Sequence, residues 1–221
     1  MNSTFNLRFV ALNLIIGGLF VFIGYAIMPV HVTLNFNLEM LPVITNNMEF
    51  WVRSFQILVF GFFIRIIGLV GLSTLYHDSS AKTVLNSGVM VCSLALLVAG
   101  LAEGYYMHSG GWAQWKMTFI PADQHQNMIN SLEITNEWVS CIKRFGRMFM
   151  HLGLTFLGWG IMRGELLSKW LGTLTLVIGI SGICLLMILT ENPDSYLPMD
   201  YVVTAWFLLI GFLVYKKSLE K

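Results

Sequence analysis

Apolar runs recur along this chain, and each is close to the ~20 residues that a helix needs to cross a bilayer. Six can be delimited, at about 8–29, 51–76, 85–108, 143–163, 169–190 and 200–216. Composition agrees with them. Of the 221 residues 11% are charged and 56% hydrophobic, and mean hydropathy is +0.71. A soluble domain is nearer one-quarter charged, so this chain lacks the polar groups to cover a wet surface. The expected fold is an all-α polytopic membrane bundle of six transmembrane helices, one domain covering 1–221. A soluble enzyme, a nucleic-acid binder and a secreted disulfide scaffold are excluded. The net charge of +1 gives no pull toward polyanions. Cys92, Cys141 and Cys184 have no metal-ligand spacing.

Breaks between the runs are legible. Met28-Pro29 ends the first, and His77-Asp78-Ser79-Ser80 precedes the third. Arg163-Gly164-Glu165 turns the chain between the fourth and fifth, and Glu191-Asn192-Pro193-Asp194 separates the fifth from the sixth. Phe9 to Met28 is too long for a signal-peptide core and no small-residue cleavage site follows, so it is expected to remain as a span. Lys and Arg then set orientation. With the N-terminus cytoplasmic, seven lie inside (Arg8, Lys82, Arg163, Lys169, Lys216, Lys217, Lys221) and five outside (Arg53, Lys116, Lys143, Arg144, Arg147). That bias favours N-in and C-in. Trp51, Tyr105, Tyr106, Trp112 and Trp115 are expected as outer aromatic anchors, with Trp170 and Tyr215 at the inner face.

Two outer loops are expected, at about 30–50 and 109–142. In the second, Pro121-Ala122-Asp123 has the character of a helix start. Met128, Leu132, Val139 and Ile142 follow at roughly helical spacing. An amphipathic helix on the outer surface, running into the fourth span, is one expectation; a plain connector is the other. Phe22-Ile23-Gly24-Tyr25-Ala26-Ile27-Met28 also echoes Phe156-Leu157-Gly158-Trp159-Gly160-Ile161-Met162. The first runs outward and the second inward, as in an inverted repeat, but the second and fifth spans show no matching echo at this level.

Ionisable residues inside a bilayer are costly, so each marks a candidate site. Lys143, Arg147 and His151 recur every fourth residue and share one helix face, with Arg144 beside it. Glu103 lies near the depth of Arg147, and a Glu103–Arg147 ion pair is the expectation. Arg53 is a second candidate partner at the same outer cleft. The candidate ligand-binding set is thus Glu103, Arg147, His151, Arg53 and Arg144. A register-fixing lock is the structural alternative. Arg65 sits near mid-span with no acid at matching depth; snorkelling inward, binding backbone carbonyls and facing a partner subunit are the alternatives, the last making it a marker of assembly. Copper or haem would draw on His31, His108 and His151, each next to or near a Met. A bis-His haem between His108 and His151 is disfavoured by their ~12 Å difference in depth.

The C-terminal third, Phe145 to Tyr215, contains Leu157-Gly158-Trp159-Gly160, Arg163-Gly164-Glu165-Leu166-Leu167-Ser168-Lys169-Trp170-Leu171-Gly172, then Pro193, Trp206 and Gly211. It resembles small six-helix bacterial membrane proteins of unknown function, which commonly carry Pro where this chain has Ser168. The resemblance implies a bacterial inner membrane location and an inner placement of 163–170. It carries no functional residues. No nucleophile elbow, zinc-protease motif or phosphate loop is present. The first functional expectation is a non-catalytic membrane subunit, partnered by other subunits or a second copy within the lipid bilayer. The second is a small-molecule binder or transporter with an outward-facing polar cleft. The third is an intramembrane redox or proton-transfer enzyme using Glu103 or His151.

Overall fold

The computed structural model describes residues 3–29, 40–76, 81–189 and 196–220, and regular structure among them is entirely helical. In chain order the helices are α1 (Ser3–Ile27), α2 (Met40–Asn46), α3 (Met48–Thr74), α4 (Lys82–Met117), α5 (His125–Arg163), α6 (Lys169–Ile188) and α7 (Leu197–Leu219). Five of them, α1, α3, α4, α6 and α7, are long and apolar enough to cross a membrane. The chain is therefore an integral membrane protein. All six expected runs fall on long helices. The fourth run lies in α5, whose inward face carries Lys143, Arg147 and His151 and so lowers its apolar character.

The long helices follow one another around a ring in the order α6, α5, α4, α3, α1, α7, each antiparallel to the next. α6 and α7 are consecutive in sequence but touch little; Trp206 bridges them by donating its indole N–H to Thr175 Oγ1 at 2.8 Å. Glycines bring backbones together around the ring. A Cβ on Gly88 of α4 would stand 2.6 Å from the Leu157 backbone nitrogen of α5, so no larger residue fits there. Outside the ring, Phe60, Met90, Leu101, Met187 and Ile188 are exposed, as lipid-facing side chains should be.

The second expected outer loop is a helical hairpin instead. α4 continues to Met117, α5 begins at His125, and a short 3-10 turn at Ala122–Gln124 joins them. Met128 and Leu132 of α5 close on Ala113 of α4 with Met117 and Ile120, a second small core outside the main one. The helical spacing at Met128, Leu132 and Val139 thus has a protein partner, α4, rather than a surface. His125 closes the turn, its Nε2 lying 3.1 Å and 3.2 Å from the carbonyls of Met117 and Ile120. The first of these carbonyls belongs to the last turn of α4, whose carbonyls lack partners within the helix, and the second to the connecting turn. In the first expected loop, α2 covers 40–46 and α3 begins at Met48; residues 30–39 lie outside the described set. Trp51 and Tyr106 are fully buried, so neither anchors at a lipid interface, whereas Trp112, Trp115 and Trp170 are exposed.

Candidate functional site: a charged cavity inside the ring

A cavity of about 80 Å³ lies inside the ring, lined from α1, α3, α4, α5 and α7. Its polar lining is Tyr25, Arg65, Glu103, Lys143, Arg147, His151, Asp200 and Thr204. Its apolar wall includes Val21, Phe62, Ala95, Leu96 and Val203. Gly146 of α5 lies beside Ala95 and Val98 of α4, and this register sets which charges meet.

Lys143 Nζ pairs with Glu103 Oε1 at 2.9 Å, and Arg147 Nη2 pairs with Asp200 Oδ2 at 2.6 Å. The expected Glu103–Arg147 pair is therefore replaced by two pairs. Antiparallel packing sets Lys143, one turn earlier on the same face, opposite Glu103. Arg147 reaches across the cavity to α7. Asp200 is the charged cavity residue that the sequence reading missed. Its signal was arithmetic: three cations lie within spans on the interior face, and Glu103 balances only one.

Each cation also lies against an aromatic ring. Lys143 is 4.4 Å from the Tyr106 centroid, Arg147 4.8 Å from Tyr196 and Arg65 4.6 Å from Phe207. Such stacking strengthens as water is excluded. The phenol of Tyr25 lies within electrostatic reach of Glu103, Asp200, Arg147 and Arg65.

Arg65 corrects a second expectation. It is 2% exposed within its own chain and lines the cavity, so it is not turned toward a partner. Gly17 makes room for it: a Cβ there would stand 2.8 Å from Arg65 Cγ. Its Nε and Nη2 are buried and have no hydrogen-bond partner among the described residues. Phe207, its ring partner, is two turns along α7 from Asp200, about 10 Å. The cavity thus has paired charges at the end nearer the α4–α5 hairpin and Arg65 toward the other end. Counting the described lining residues apart from His151, three cations face two carboxylates, an excess of one positive charge.

His151 is buried on the same face of α5 as Arg147. Its ring lies against Gly182 of α6 and meets Tyr196 edge-on at 5.7 Å. The Tyr196 hydroxyl donates to the Gly182 carbonyl at 3.2 Å. Arg53 lies outside the cavity, where it is exposed and paired with Glu49 on its own helix. Arg144 is exposed and lines no part of the cavity. His108 is exposed on α4; the Glu103–Lys143 register places it about thirteen helical residues from His151, roughly 20 Å. His31 lies outside the described residues. Among the described residues no three His, Cys, Asp or Glu side chains come together to hold a metal ion.

No family model, curated protein or solved structure matches this chain.

Proposed function

We propose that the chain crosses the membrane six times, with both termini cytoplasmic, and that its interior cavity binds a small monoanion. The resemblance of its C-terminal third suggests a bacterial inner membrane. The observation carrying the functional reading is the uncompensated charge of Arg65. A buried guanidinium with two nitrogens unbonded among the described residues is costly in a low-dielectric interior. An anion that enters beside it offsets that cost. Lys143 and Arg147 already have carboxylate partners, so the excess charge admits one negative charge rather than two. The planar guanidinium suits a carboxylate or another planar oxyanion. Size narrows the class further. The cavity holds about 80 Å³, roughly half of a ~150 Å³ cavity that accommodates benzene. The ligand then has only a few non-hydrogen atoms, with acetate as the type case, its methyl against Val21, Phe62 and Val203.

The accessory-subunit expectation drew on Arg65, on the long outer loops and on the absence of a catalytic motif; the burial of Arg65 within its own chain removes the first of these. Thermal unfolding of the solubilised protein with acetate, nitrate, phosphate or choline tests the binding reading. Acetate or nitrate should raise Tm, choline should not, and Arg65→Gln should lose the response. Equal responses in Arg65→Gln and the parent protein would overturn it.

A further inference from the structure

Arg65 and Tyr25 stand on neighbouring antiparallel helices, and helix geometry aims them at each other. Glycines hold α1 close to α3: a Cβ on Gly24 would stand 2.6 Å from Leu58 Cγ, and one on Gly61 2.8 Å from Val21 Cγ2. Gly17 sets the register, because Arg65 lies over it. Tyr25 is two turns further along α1, about 12 Å. Side chains on a helix lean toward its N-terminus. α3 starts at the hairpin end of the bundle, where Met48 lies beside Gly111 of α4, so Arg65 leans toward Tyr25. α1 starts at the opposite end, so Tyr25 leans toward Arg65.

Both side chains line the cavity, and each lies in the electrostatic field of the other. A gap remains between them: Arg65 Nε and Nη2 have no hydrogen-bond partner among the described residues, the Tyr25 hydroxyl included. The two carboxylates of the cavity are engaged elsewhere, Glu103 with Lys143 and Asp200 with Arg147. The Tyr25 ring is steadied by an edge-on contact with Tyr201 at 5.9 Å. Val21, one turn deeper on α1, belongs to the apolar wall below it.

We infer that Tyr25 is the second binding group of the anion site: its phenol donates to one oxygen of the anion while Arg65 holds another, and this two-point grip selects small oxyanions over halides. The inference rests on the monoanion-binding reading and narrows its ligand class. Guanidinium N–H groups and a phenol O–H are all donors, so an acceptor placed between Arg65 and Tyr25 satisfies both. A carboxylate or nitrate offers separate oxygens to the two helices, and a hydrogen bond to a charged acceptor is of the stronger kind. A halide presents a single centre. Seated on Arg65, it gains less from the phenol.

Paired titrations test the inference. Acetate and chloride affinities of the solubilised protein are read from the rise in Tm at constant ionic strength, balanced with gluconate, which is too large for the cavity. The parent protein should prefer acetate. Tyr25→Phe keeps the ring and its contact with Tyr201. It should weaken acetate about tenfold, the loss of one hydrogen bond to a charged group, and chloride by less than about twofold. Arg65→Gln should lose the response to both anions, and Tyr201→Phe should keep both. Size-exclusion profiles and helical circular dichroism check that each variant is folded. A second readout needs no variant: with tyrosine labelled at Cζ, acetate should shift one Cζ resonance of the parent protein and chloride none. Equal weakening of the two anions in folded Tyr25→Phe, no weakening of either, equal affinity for both in the parent, or no Cζ shift at saturating acetate would overturn the role of Tyr25. Loss of the acetate response in Arg65→Gln would then leave the monoanion reading standing. A parent protein that binds neither anion would remove both.

Discussion

The two ends of the cavity hold the same kinds of cation under opposite conditions. Near the hairpin, Lys143 and Arg147 each meet a carboxylate and an aromatic ring. About two turns deeper, Arg65 meets an aromatic ring, and two of its nitrogens have no acceptor among the described residues. Paired charges inside a bundle fix register and tie helices together, here α4 to α5 and α5 to α7. An unpaired one adds no such tie and raises the energy of the fold. The difference separates structure from function: the paired end should matter most for stability and the deep end most for binding.

Substitutions can break or sharpen that contrast. The largest expected effect on stability is at the paired end. Arg147→Ala leaves Asp200 half-buried without its partner and should cost about 3 kcal/mol of unfolding free energy in mixed micelles. Adding Asp200→Asn should recover much of the loss, since the pair is worth less than the penalty of orphaning one member. At the deep end the sign should reverse. Arg65→Leu removes an uncompensated charge and should leave stability unchanged or raise it by about 1 kcal/mol, while acetate no longer raises Tm. Destabilisation as large as that of Arg147→Ala would show that Arg65 is structural, and the contrast would fail. A smaller effect is expected between α6 and α7. Trp206→Phe loses the hydrogen bond to Thr175 and should cost about 1 kcal/mol. The smallest belongs to exposed cations: Arg53→Ala and Arg144→Ala should each change stability by less than about 0.5 kcal/mol and leave the acetate response intact.

Much of the fold was legible because lipid imposes a length on every apolar run. The stripe of Lys143, Arg147 and His151 was legible for a similar reason: helical period alone places them on one face. Their partners were not. Whether Glu103 meets Lys143 or Arg147 depends on an offset of one turn between α4 and α5, which the Gly146 contact sets and no local pattern reveals. Asp200 sits on α7, whose neighbour in space is α1 rather than α6, a relation that sequence order conceals. The hairpin was half legible. The apolar spacing on α5 was visible, but its partner runs through His108-Ser109-Gly110-Gly111, a stretch of poor helix formers held helical within α4, beside the packing of Ala113 against α5. Arg65 was misplaced because no acid lies at its depth. In the fold an aromatic ring and a cavity wall take the place of that acid.

The most direct test of the central claim is a distance. With acetate labelled at its carboxyl carbon and arginine labelled at its guanidinium nitrogens, solid-state NMR of the protein in lipid reads carbon–nitrogen dipolar coupling. The account predicts coupling to one guanidinium that disappears in Arg65→Gln and persists in Arg144→Ala. Coupling that survives Arg65→Gln, or none at saturating acetate, would contradict it.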